Sequence, residues 1–147
     1  MFKPTIALLA ASIALTGCQK REPVQKVTNV WIRLGATETA PAAAYFTVYG
    51  NENADRLLQV SSEVNTKTEL HESMMHGDMA SMKPTGPVDI PAGGKVEFKP
   101  GGRHAMLFGM NPAIKPGQTV RLTFTFSSGT EIAVDAGTQS ASAPIKN

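Results

Sequence analysis

The stretch Val120–Val134 reads VRLTFTFSSGTEIAV, and its pattern decides the fold class. Val120, Leu122, Phe124 and Phe126 alternate with Arg121, Thr123 and Thr125, the period of two that suits a strand with one apolar and one wet face. Ser127 to Thr130 then form a turn centred on Gly129, and Ile132 and Val134 resume the alternation, which predicts a β-hairpin. Upstream, Val30, Ile32 and Leu34 are expected to share one face, as are Ala44, Phe46 and Val48, and likewise Leu58 and Val60. Turns at Pro91-Ala92-Gly93-Gly94, Pro100-Gly101-Gly102 and Lys115-Pro116-Gly117 leave no room for a long helix between them. Many short strands punctuated by Gly and Pro predict an all-β sandwich of Greek-key type.

At 147 residues the chain suits one domain with a core that needs no disulfide. Its formal net charge of +2 is small and its cations are scattered, which argues against a nucleic-acid partner. Residues 1–17 have a positive start at Lys3 and an apolar run from Ile6 to Leu15, too short to span a bilayer and about right for a signal peptide. The run ends in Leu15-Thr16-Gly17-Cys18, which resembles the lipobox of bacterial lipoproteins. That resemblance implies removal of residues 1–17 and lipidation at Cys18, anchoring the domain in the periplasm or on the outer face of the cell envelope. A plain secretory signal with a chance cysteine is the alternative. Residues 18–26 read as lipidated N-terminus and tether, 27–136 as the domain, and 137–147 as a flexible tail. Cys18 is the only cysteine, so the mature domain has neither a disulfide nor a thiolate to spare.

The soft, polarizable side chains are concentrated between His71 and Met110. All three histidines (His71, His76, His104) and six of the seven methionines (Met74, Met75, Met79, Met82, Met106, Met110) fall there. His104-Ala105-Met106 follows the Gly101-Gly102 turn and should open a strand, where residues two apart point the same way with Cα atoms about 6.6 Å apart. The segment from His71 to Met82 has two readings. Its methionine spacing also fits a helix carrying a core stripe, in which His71 and Met82 would stand about 16 Å apart. Gly77 and the alternation Val64, Thr66, Thr68, Leu70 favour instead a strand end followed by a turn around His76-Gly77-Asp78.

His71, ten residues, Met82, twenty-one residues, His104, one residue, Met106: this spacing resembles the signature of the periplasmic copper chaperones PCuAC. The neighbouring Val30-Trp31, Ala43-Ala44-Tyr45, Leu70-His71-Glu72, Ile90-Pro91-Ala92-Gly93-Gly94 and Lys99-Pro100-Gly101-Gly102 are similar to that family too. The resemblance, over Val27 to Ala136, implies a cupredoxin-like fold and one Cu(I) per chain held by His71, Met82, His104 and Met106. It also implies delivery to an acceptor, the copper centre of a haem-copper (cytochrome c) oxidase or a Sco-type protein. A monomer is expected, and since no Ser-His-Asp set or paired carboxylate stands out, the chain reads as a carrier and not an enzyme.

The donor chemistry agrees with that expectation. Thioethers select Cu(I), whereas zinc recruits thiolates or carboxylates and Cu(II) favours a tetragonal nitrogen and oxygen field. A blue-copper electron-transfer site would need a cysteine ligand, and Cys18 is committed to the anchor. Met74, Met75, His76 and Met79 are assigned to an auxiliary approach path and Met110 to the core. The ligands are expected on two arms, one a surface turn and one a strand. Two other readings keep the same residues: a copper buffer or resistance protein without a dedicated partner, and a structural lipoprotein whose methionines only pack.

Overall fold

The computed structural model describes residues 23–145, so the signal peptide, Cys18, the first part of the tether, Lys146 and Asn147 lie outside the described residues. Ten strands follow one another in the chain: β1 (Lys26–Arg33), β2 (Ala42–Tyr49), β3 (Asp55–Ser61), β4 (Lys67–His76), β5 (Met79–Pro84), β6 (Val88–Ile90), β7 (Lys95–Phe98), β8 (Arg103–Phe108), β9 (Thr119–Phe126) and β10 (Glu131–Gln139). No helix occurs among the described residues. All ten strands belong to one hydrogen-bonded sheet in the order β5-β4-β8-β7-β2-β1-β10-β9-β3-β6.

That sheet is curled over on itself. β3 and β4 lie near opposite ends of the order and yet are in contact. Phe46 of β2 meets Phe124 of β9 edge-on at 4.8 Å and stacks on Phe98 of β7 at 4.2 Å, so the concave faces close around a shared aromatic core. The alternating set Val120, Leu122, Phe124 and Phe126 is fully inside, as are Ala44, Phe46 and Val48. On the wet face of the β9–β10 hairpin, Arg121 pairs with Asp135 at 2.8 Å. The expected hairpin and all-β sandwich are both present, the sandwich being one continuous sheet folded face to face.

Two bulges break the expected parity. Between Leu57 and Gln59 the register of β3 against β9 shifts, so Leu57 and Val60 are buried while Leu58 faces solvent, not the core as its spacing from Val60 suggests. In β1 a second shift lies between Thr28 and Trp31 around Asn29, whose φ of 54° is left-handed, and it allows Val27 and Ile32 both to point inward. Val30 and Leu34 only lean against the core. Order also continues past Ala136: β10 runs to Gln139 in parallel pairing with β1, Thr138 is buried, and Arg33 binds the carbonyls of Ala141 and Ala143. The expected flexible tail is therefore tied down over its first half by an arginine on β1.

Candidate metal centre

β4 and β8 are antiparallel neighbours with His71 directly opposite His104. Residues opposed across a rung share a face of the sheet, and so do residues two apart along a strand. Met106 therefore lies on the face of His104. Met82, opposite Ser73 in the β4–β5 ladder, lies on the face of His71. Leu70, Ala105 and Leu107 occupy the alternate positions and are buried in the core. Three adjacent strands thus place His71, Met82, His104 and Met106 on one face of the sheet, the one away from the core, with the two histidines side by side and a methionine two positions along on either side of their rung.

Gly77 makes the β4–β5 hairpin possible. It is the first of two loop residues, at φ 62°, the left-handed position that a tight two-residue hairpin favours for glycine. The helical reading of this segment is excluded. So is the expected turn-borne arm: β4 extends through His76, Met82 is paired inside β5, and every one of the four residues sits in a strand.

The two imidazoles are 5.9 Å apart between ring centroids and are 8% and 3% exposed for His71 and His104. His104 Nδ1–H donates to the Gly102 carbonyl at 3.1 Å, leaving its Nε2 as a bare acceptor. Burial pushes the His104 imidazole below the usual histidine range, an effect that the Gly102 bond opposes and the nearby His71 reinforces. His71 Nε2 lies 2.9 Å from Glu69 Oε2. Lys67, and after it His71, hold the Glu69 carboxyl below its ordinary range, so Glu69 is the acceptor, Nε2 carries the proton and Nδ1 the lone pair. Neither His71 Nδ1 nor His104 Nε2 has a partner, and these are the only buried side-chain nitrogens so placed among the described residues. Each such buried orphan costs about 1–3 kcal/mol.

Around the pair, Tyr45 is 6.3 Å from His104 and packs at 4.6 Å against a tilted Trp31 ring, while Phe108 is 6.3 Å from His71. Met106 is flanked by Ala43 on β2, which offers only a methyl, and by Glu69 on β4. Met82 is 60% exposed, so the histidines are sheltered and this thioether faces water.

Glu69 and the Gly102 carbonyl are the parts that sequence reading missed. Glu69 was discoverable, since the period of two puts it on the face of His71. It puts a carboxylate beside a donor set read as thioethers and imidazoles, and that carboxylate is already engaged by Lys67 and His71. The auxiliary group divides: Met75 shares the face of His71 and Met82, whereas Met74, His76 and Met79 project from the opposite face. Met110 leans on the core as expected.

The family described as "LpqE-like: Putative lipoprotein LpqE-like" matches residues 26–138. The chain belongs to the LpqE-like family. The chain is similar to "Putative lipoprotein Lxx21020" of Leifsonia xyli subsp. xyli, 26% identical over 147 residues that span 88% of this chain and 87% of that protein. The fold is that of PCuAC domains, cupredoxin-like as the resemblance implied. The copper-bound PCuAC domain from PmoF2 superposes with a TM-score of 0.66 at 20% identity, over 81% of this chain and 97% of that one. The solution structure of Cu(I)-DR1885 from Deinococcus radiodurans gives 0.59 at 28% identity, over 77% and 78%.

Proposed function

We propose that this LpqE-like chain is an extracytoplasmic Cu(I) carrier that holds one ion tightly through His71, Met82, His104 and Met106. The observation that carries the reading is the pair of buried, unpartnered nitrogens, His71 Nδ1 and His104 Nε2, facing the same side of one rung. Both lone pairs are held free by hydrogen bonds at the far side of each ring, the arrangement by which proteins present imidazole to a metal. Two sulfurs complete a neutral set that favours the reduced ion. The structurally similar PCuAC domain from PmoF2 is copper-bound and DR1885 holds Cu(I), which supports the same choice of metal.

The difference in exposure gives a sequence to loading. An arriving ion meets the exposed Met82 thioether first and then the sheltered imidazoles, and it leaves by the reverse exchange, so the chain carries the ion without transforming it. The folded domain extends from Lys26 at the start of β1 to Gln139 at the end of β10. Removal of residues 1–17 and lipidation of Cys18 would tether it outside the cytoplasmic membrane, in keeping with the lipoprotein description of its family. The acceptor is the copper centre of a haem-copper oxidase or a Sco-type protein.

Titration of the reduced full chain with Cu(I), followed by X-ray absorption, tests the binding half. One tightly held equivalent with both nitrogen and sulfur scatterers is expected; no uptake, or a shell of nitrogen and oxygen alone, overturns it. Mixing the Cu(I) form with an apo oxidase copper domain and following both by NMR tests delivery. Retention of copper by this chain would leave the buffer reading in its place.

A further inference from the structure

The β4–β5 hairpin has two soft faces, and only one of them belongs to the centre described above. His76 pairs directly with Met79, and Met74 is two residues before His76, so these three side chains leave the hairpin together on the side away from His71 and Met82. Directly opposed Cβ atoms stand about 4.5–5.5 Å apart and diagonal neighbours about 7–8 Å, within reach of two thioethers and an imidazole converging on one ion. Met74 is 38% and Met79 76% exposed, and four of the seven exposed large apolar side chains among the described residues are methionines of this hairpin. Thioethers in that position bury little and stabilise little, so core formation does not account for them. The next positions on the same face are Ser81, Glu72 and Lys83, with Glu72 drawn towards Arg103 at 3.7 Å. The donor set is thus two sulfurs and one nitrogen, all neutral, which suits a soft monovalent cation and not a hard one.

We infer that Met74, His76 and Met79 form a second, weaker site for a soft monovalent cation of the Cu(I) class on the back of the hairpin. It is weaker because three exposed, freely rotating side chains must be ordered to make it, whereas His71 and His104 are already fixed. β5 is the terminal strand of the sheet, so only one strand separates the back site from the exposed Met82. At equilibrium the back site is filled only after the main one.

Silver(I), which is redox-inert, is the probe. The full chain with 13C-methyl-labelled methionine is titrated and followed by NMR. The first equivalent should move the Met82 and Met106 methyls, and the second the Met74 and Met79 methyls together with the His76 ring. M74L/M79L, which changes only exposed positions, should keep the first event and lose the second. A second equivalent that is absent, that survives in M74L/M79L, or that moves Met75 as much as Met74 overturns the back site. A first equivalent that bypasses Met82 and Met106 instead sinks the main-site reading, and the Met74 and Met79 signals then decide this one alone.

Discussion

Glu69 sits between the Lys67 ammonium and the His71 ring, and its effect on a bound ion passes through that ring. Glu69→Gln keeps the shape of the acceptor and removes its charge, so His71 Nδ1 becomes a poorer donor and Cu(I) affinity should fall about 10- to 100-fold, measured by competition with a Cu(I) chelator. An unchanged affinity would mean that Glu69 does not orient His71. Asp55, at the start of β3, is the most strongly perturbed carboxylate among the described residues. Desolvation alone would raise it, but hydrogen bonds from Ser128, Ser127, the Arg56 amide and Gln25 hold it well below the usual carboxylate range. A depressed folded value contributes stability that is complete above the unfolded value of about 3.9 and is lost as pH falls through the folded one. The urea midpoint of the parent should therefore drop at acid pH, and Asp55→Asn should be less stable at neutral pH with a shallower acid limb. The four proposed ligands were legible at this scale because their types and spacing are specific. The Gly102 carbonyl was not, since a backbone acceptor leaves no trace in residue identity.

The β4–β5 hairpin depends on register, because a slip of one residue exchanges its two faces. Inserting one glycine between Gly77 and Asp78 should turn Met82 away from His71, reducing Cu(I) affinity to the level of Met82→Ala while the urea midpoint stays close to the parent's. A variant that binds copper normally would show that Met82 is not needed. The strands themselves could be read wherever alternation ran uninterrupted, as in Val120–Phe126. It failed at Leu58 and around Asn29, where an extra residue resets the parity and only the partner strand specifies the place. The methionine-rich segment was ambiguous for a related reason: residues at helical spacing can also fall on the two faces of a ribbon, and only Gly77 and the alternation leading into His71 favour the turn.

Because the four proposed ligands lie on the side of the sheet away from the core, the core can be weakened without touching them. Phe124, fully buried and edge-on to Phe46, joins the two faces of the fold, and Phe124→Ala should cost about 3–5 kcal/mol in urea denaturation. The protein that remains folded should bind Cu(I) as tightly as the parent; a parallel loss of affinity would show that core and site are coupled. The sandwich class was legible from turn spacing, but its continuity as one sheet was not, since it rests on the parallel rungs Trp31–Gly137, Ile32–Thr138 and Arg33–Gln139. Those rungs join the first strand in the chain to the last, across nearly the whole described chain, and loop closure over that separation is entropically slow. A chain emerging from its N-terminus has β1 in hand long before β10 exists to meet it. The seam between the two halves of the sheet can close only after synthesis is nearly complete, and until then both halves present open edges that a chaperone, or another copy of the chain, could occupy.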